Sequence, residues 1–255
     1  MKVAAYQAPL HAVSSPDVLG LIREQVDRCE ANGVEILCCP EGVLGGLADY
    51  ASRPHEIAID VESGQLHALL SPLASDRVTT ILGFTEIDRG RLYNSAAVFH
   101  QGTVAGVYRK LHPAIHRSVY SAGDETPVFT AGGLTFGIII CRDSNFPEPA
   151  RAMAARGATA LFIPTNNGLP PAKGGPKLVD QARKADVARA TENGVFVIRA
   201  DVAGHAGSFV SHGSSGIVDP GGRVLQSARQ LVPDLIVADI QTARGSFRSP
   251  GTPPR

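Results

Sequence analysis

Cysteine is scarce in this chain, and neither sign of charge is in excess. Four cysteines in 255 residues, Cys29, Cys38, Cys39 and Cys141, are too few and too irregularly spaced for a disulfide scaffold. Cys38 and Cys39 are neighbours in an apolar run, and no CxxC pair is present. This cysteine usage fits a reducing cytosol. Lysine and arginine number 24 and aspartate and glutamate 24, a formal balance of zero. A dedicated nucleic-acid binder needs a basic field to displace counterions from phosphates, so that class is excluded. No segment approaches the roughly 18–20 uninterrupted apolar residues of a membrane span. Residues Met1 to Leu10 (MKVAAYQAPL), interrupted by Gln7 and Pro9, lack the apolar length and cleavage site of a secretory signal. The expectation is a cytoplasmic protein with neither membrane nor nucleic acid as partner.

What is present is ordinary for a globular protein with a sizeable core: 44% hydrophobic and 19% charged residues. That apolar content is enough to offset the conformational entropy of folding, which excludes disorder for the bulk of the chain. A length near 250 fits one large α/β domain or two small ones.

Periodicity predicts a strand at Lys2–Tyr6 and then a helix over Pro16–Asn32, where Val18, Leu19, Ile22, Val26 and Cys29 recur at helical spacing. Ser15 reads as its N-cap and Gly33 as its stop. Val34–Cys39 reads as a strand buried on both faces, and a second helical stretch lies near Ser63–Ser75. Three β-rich segments follow, Thr79–Glu86, Leu92–His100 and Thr103–Tyr108. The turns Asp88-Arg89-Gly90 and Gln101-Gly102 between them predict antiparallel hairpins. Further strands are expected at Leu134–Ile140, Thr159–Ile163, Val195–Ala200, Ser214–Val218 and Leu235–Ile240, with helices at Pro147–Arg156 and Pro176–Glu192. Hairpins together with β-α-β units predict an α/β fold with mixed sheets, without deciding between one sheet and two. No composition break interrupts this alternation, so residues 1–241 read as a single domain and 242–255 as a flexible or dimer-arm tail.

Three reactive side chains occupy equivalent places in this pattern. Glu41 follows the strand VEILCC, Lys110 follows TVAGVYR, and Cys141 follows LTFGIII. Ligands of α/β sheets bind beyond the carboxyl ends of strands. A carboxylate, an ammonium and a thiol gathered there would suit a cysteine hydrolase: the thiol needs a base, and the developing oxyanion needs a cation or N–H donors. Singly, each has an ordinary explanation, as an inert buried thiol, a loop cap or a solvated charge.

Together with their flanks they carry a resemblance. Pro40-Glu41-Gly42, Tyr108-Arg109-Lys110-Leu111-His112 and Cys141-Arg142-Asp143-Ser144-Asn145-Phe146-Pro147-Glu148, spaced by 69 and 31 residues between the three reactive groups, resemble the nitrilase superfamily of carbon–nitrogen hydrolases. Gly83-Phe84-Thr85-Glu86, Leu92-Tyr93-Asn94-Ser95-Ala96, Gly123 and the stretch Ser214 to Gly222 match as well. The resemblance extends from Val3 to Ile240. It implies a four-layer α-β-β-α sandwich with two mixed β-sheets, a homodimer or higher homo-oligomer, and neither metal nor organic cofactor. Carried onto this chain, it makes Cys141 the nucleophile, Glu41 the general base and Lys110 the oxyanion stabiliser.

The resemblance has a gap. Many relatives carry a second glutamate after the lysine, whereas His112–Gly123 (HPAIHRSVYSAG) contains no carboxylate. His116 falls near the expected position and is a candidate substrate-binding residue. Arg142, Asn166 and Asn167 are further candidates, the two asparagines because they follow the strand ALFIP on the path to the pocket. The substrate expected is a small-molecule amide, so the first reading is an amidase. The second is an N-carbamoyl amino-acid amidohydrolase, whose substrate carboxylate would want a cation such as Arg142, Arg117 or Lys173. Nitrilase proper ranks below these. A silent binding or scaffold member and a thiol redox protein are the readings from other classes; the intact Glu41, Lys110 and Cys141 argue against the first, and the absence of a thiol beside Cys141 in sequence argues against the second.

Overall fold

The computed structural model describes residues 1–10, 17–114, 118–171 and 173–241. His116, Arg117, the expected cap Ser15 and the tail 242–255 lie outside them. The elements run β1 (Lys2–Pro9), α1 (Val18–Ala31), β2 (Val34–Cys38), β3 (Ile59–Asp60), α2 (Gln65–Leu70), β4 (Thr79–Asp88), β5 (Arg91–His100), β6 (Thr103–Arg109), β7 (Tyr120–Ser121), β8 (Val128–Ala131), β9 (Leu134–Ile138) and α3 (Pro147–Ala155). There follow β10 (Ala160–Pro164), α4 (Pro176–Asn193), β11 (Phe196–Ala200), β12 (Val202–Ala206), β13 (Phe209–Ser211), β14 (Gly216–Val218), β15 (Val224–Ser227) and β16 (Asp234–Asp239).

Two mixed sheets result. The larger has the order β13-β12-β1-β2-β4-β5-β6, with β16 also paired to β1, β3 to β4 and β7 to β5; the smaller has the order β15-β14-β11-β10-β9-β8. The alternation of side chains along β1 and β2 shows why the layers stack. Val3, Ala5, Ile36 and Cys38 join Phe136, Ile138, Phe162 and Ile198 of the second sheet in one apolar core. Ala4, Tyr6, Leu37 and Cys39 point the other way, into a core shared with Ile22, Val26 and Cys29 of α1 and Leu66 and Leu70 of α2. Two buried faces per strand force helix, sheet, sheet and helix into four layers. On the far side, Ala150 and Met153 of α3 and Ala190 of α4 pack against the second sheet.

The hairpins β4–β5 and β5–β6 are antiparallel, as their turns predict. Arg89 and Gly90 take φ of 48° and 77°, and Gln101 and Gly102 take 47° and 73°. Two consecutive left-handed residues make the turn whose twist suits a right-handed strand pair. Most predicted elements stand within a few residues of their expected ends. Six strands without a sequence-based expectation, β3, β7, β8, β12, β13 and β15, are short, and β12 carries Gly204 and the exposed His205 in place of clean alternation. No helix among the described residues is long and apolar enough to cross a membrane.

Candidate active site

The carboxyl ends of β2, β6 and β9 deliver Glu41, Lys110 and Cys141 to one place. Glu41 sits on a turn carried by β4: the N–H of Cys39 donates to Ile81 O (2.8 Å), that of Gly83 to Pro40 O (3.2 Å), and that of Leu44 to Gly83 O (3.1 Å). The approach is so close that a Cβ on Gly83 would stand 2.5 Å from Pro40 O and 2.6 Å from the Cα of Glu41. Glycine is required there by contact and not by φ. Gly83→Ala is therefore expected to push the Glu41 turn off β4 and lower kcat/KM more than tenfold, with a far-UV spectrum like wild type; undiminished kcat/KM would show that the turn accommodates the methyl elsewhere.

Lys110 is fixed by its backbone, its N–H donating to Asn94 O and its carbonyl accepting from the N–H of Gly123, each at 2.8 Å. Its side chain is buried and donates to Glu41 Oε1 at 2.5 Å. Asn94 Nδ2 donates to the same oxygen at 2.8 Å, and the N–H of Asn166 donates to Glu41 Oε2 at 3.0 Å. Both carboxylate oxygens are thus held, which orients the group and compensates its removal from water. Burial works against the Lys110 ammonium, but Glu41 and the other acidic groups around it outweigh that and hold its pKa above the ordinary lysine value. The ammonium form of Lys110 is therefore the favoured one at this site.

Cys141 opens a 3-10 turn, Cys141–Asn145, directly after the second sheet's core strand. Its φ is 45°, in the left-handed region where a side chain costs about 1–3 kcal/mol. Neighbours hold it there. Ser144 Oγ donates to Cys141 O (2.7 Å), and Arg199 Nη2 donates to Ser144 Oγ (2.9 Å). Arg199 is fully buried; its other end donates to Thr165 Oγ1 (2.7 Å), and its Nε to Asp186 Oδ1 (2.9 Å). Burial pushes the Cys141 thiol up to about 12, Glu41 pushes in the same direction, and Lys110 and Arg199 only partly offset them. Burial and Glu41 therefore favour the neutral thiol at this position.

Asp143 joins the two sheets at the site. Its buried carboxylate accepts from Tyr108 Oη (2.8 Å), from the N–H of His112 (2.8 Å) and from the N–H of Ile140 (3.0 Å). Tyr108 and His112 flank Lys110 by two residues on either side, so one carboxylate ties the lysine's segment to the turn that carries Cys141. Burial pushes the Asp143 carboxyl up from its ordinary value, and Lys110 and these donors pull against that.

The remaining candidates divide. Asn166 is at the site through Glu41. The side chain of Asn167 donates instead to Asp201 Oδ2 (3.0 Å) and Ser214 Oγ (3.2 Å), inside a buried network. Arg142 Nη1 donates to Ala114 O (2.7 Å), with its guanidinium beside the Phe146 ring. The sequence reading gave no role to Asn94, Asp143, Ser144, Asp186 or Arg199. Asn94 stood in a matching flank, which was a usable signal; for Asp186 and Arg199 the sequence carries none. Among the described residues no group of three or more His, Cys, Asp and Glu could hold a metal ion.

Comparison with known proteins gives one result. The carbon-nitrogen hydrolase family matches residues 2–248. An (R)-stereoselective amidase from a Pseudomonas species is 32% identical over 222 residues, 86% of this chain and 78% of that protein. A nitrilase from Pyrococcus abyssi is 33% identical over 220 residues, 84% of this chain and 80% of that one. Among solved structures, a variant of an amidase from Nesterenkonia sp. AN1 superimposes with a TM-score of 0.78 at 26% identity, covering 94% of this chain and 93% of that chain; acrylamide has added to its active-site cysteine.

Proposed function

The chain belongs to the carbon–nitrogen hydrolase family, and from that premise we propose that it is an amidase acting through Glu41, Lys110 and Cys141. The observation that carries this reading is the buried Lys110–Glu41 pair, 2.5 Å apart, in whose field the Cys141 thiol lies.

The steps follow from the groups present. Glu41 takes the proton of Cys141 as Sγ attacks the carbonyl carbon, and the C–S bond forms while the C=O electrons move to oxygen. Lys110 Nζ and the backbone N–H of Arg142 hold that oxyanion; one such donor is worth about 3 kcal/mol. Glu41 then gives the proton to the departing nitrogen, the C–N bond breaks, and ammonia leaves a thioester on Cys141. Water deprotonated by Glu41 attacks the thioester, releasing the carboxylic acid and restoring the thiol. Amide and water are consumed, acid and ammonia formed, and no electrons change hands.

The amide reading ranks ahead of N-carbamoyl amino acids because the similar Nesterenkonia amidase takes up acrylamide at its active-site cysteine. A substrate carboxylate would need a cation free to meet it. The test is ammonia release from primary amides, N-carbamoyl amino acids and nitriles, with Cys141→Ala in parallel. Release from the amides by the wild type alone is the expected result; a preference for either of the other two classes would replace the amidase reading.

A further inference from the structure

A second cavity, about 640 Å³, opens beside the Glu41 end of the site. Its size falls within the range of pockets that enclose drug-sized ligands, far more than the smallest amides need. Its walls come from four separate segments: Leu10 at the end of β1, Leu47 to Ile57 on the loop beyond Glu41, Asn166 after β10, and Phe209 at the β12–β13 turn. Tyr50 and Phe209 meet edge to face with ring centroids 5.4 Å apart, joining the Glu41 loop to that hairpin.

One contact connects this cavity to the chemistry. Asn166 lines it, and the N–H of Asn166 holds Glu41 Oε2 at 3.0 Å. Tyr50 lines it too, and after burial and Asp49 the Glu41 carboxylate helps to raise its phenol pKa. The charge of the walls limits what can enter. Arg53 and Glu56 are the formally charged residues of the lining; they pair with each other at 2.9 Å, and both side chains face water. Among the described residues, the inner surface of leucine, isoleucine, tyrosine and phenylalanine offers no spare cation.

We propose that this cavity is the acyl subsite of the enzyme, and that its substrates are primary amides of bulky, uncharged aliphatic or aromatic acids. This rests on the amidase reading above. A primary amide loses only ammonia beside Glu41, so the bulk of its substrate is acyl and needs a place of its own. Burial of each added methylene is worth up to about fourfold in affinity.

The test is kcat/KM for acetamide, butyramide, hexanamide and 3-phenylpropanamide, with succinamate as a charged comparator and N-hexylacetamide placing the same bulk on the amine. The wild type is expected to favour hexanamide over acetamide by at least about tenfold, and to discriminate against succinamate. In Ala206→Trp, which fills the cavity from the hairpin, the hexanamide-to-acetamide ratio is expected to fall about tenfold; Phe209→Ala, which removes a wall, should lower it in the same direction. Calorimetric binding of the same amides to Cys141→Ala reads the series without turnover. Ammonia release with a flat series, or a preference for N-hexylacetamide or succinamate, overturns the acyl subsite alone. An intact binding series without ammonia release overturns the amidase reading alone, and loss of both overturns both.

Discussion

Cys141→Ala is expected to lower turnover about ten-thousandfold or more, as loss of a covalent nucleophile does in other hydrolases, with the thermal midpoint close to that of the wild type. Glu41→Gln should cost a factor of about a hundred to ten thousand, the range of a positioned general base. The two effects are linked by the state of the sulfur. Burial pushes the Cys141 thiol up to about 12, which disfavours thiolate at neutral pH. A neutral glutamine keeps the shape of Glu41 and its bonds to Asn94 and Asn166 in part, but it cannot accept the proton. It also leaves Lys110 without its counter-charge, which brings the thiol nearer an uncompensated cation and favours thiolate. Alkylation therefore separates the roles. In Glu41→Gln the thiol should react with a simple alkylating agent as fast as or faster than the wild type, while amide turnover is lost. Kinetics within tenfold of wild type in either variant would remove that residue from the mechanism.

The second large effect lies behind Cys141. Asp186→Asn is expected to destabilise the fold by about 3–5 kcal/mol, the cost of leaving a buried charge unpaired, which lowers the midpoint by about 10 °C in a chain of this length. Asp186 is fully buried against the Arg199 guanidinium, with Arg183 Nη1 at 3.7 Å from its Oδ2. Burial alone would push the pKa of Arg199 down, but Asp186 outweighs it and the guanidinium stays charged. Replacing both partners by apolar residues, Asp186→Leu with Arg199→Met, should recover part of the stability, because Arg199 is no longer stranded although Arg183 loses Asp186. It should not recover kcat. Without Arg199, the Ser144 hydroxyl loses the donor that aligns it on Cys141 O, and the strained backbone at φ 45° loses support. A double variant that regains stability and full kcat would make the pair purely structural; KM near wild type with low kcat identifies positioning of the nucleophile.

Much of the architecture was legible because it depends on local pattern. Short apolar runs marked β1 and β2, and Arg89-Gly90 and Gln101-Gly102 marked the hairpins through their need for left-handed backbone. Glu41, Lys110 and Cys141 were legible because each ends an apolar strand, where side chains of an α/β sheet meet ligands. The glycines were visible without their reasons. Gly83 matched the family pattern, yet only the packing of β4 under the Glu41 turn explains why a methyl cannot be tolerated. The places where periodicity was weak were missed: β12 and β13 form one wall of the second cavity and alternate too little, over too few residues, to be read as strands.

The amino-acid sequence by itself determined the kinds of element, their order and the three reactive groups at their ends, because spacing and turn chemistry act over a few residues. The tertiary structure decided which buried groups meet. Asp143 bridges Tyr108 and His112 across the two sheets, Arg199 reaches Ser144 across 55 positions of chain and Asp186 across 13, and Asn166 holds Glu41 across 125. A buried polar side chain must find a partner, but which partner depends on strand order and on how the sheets face each other. Those are long-range properties that no local period encodes.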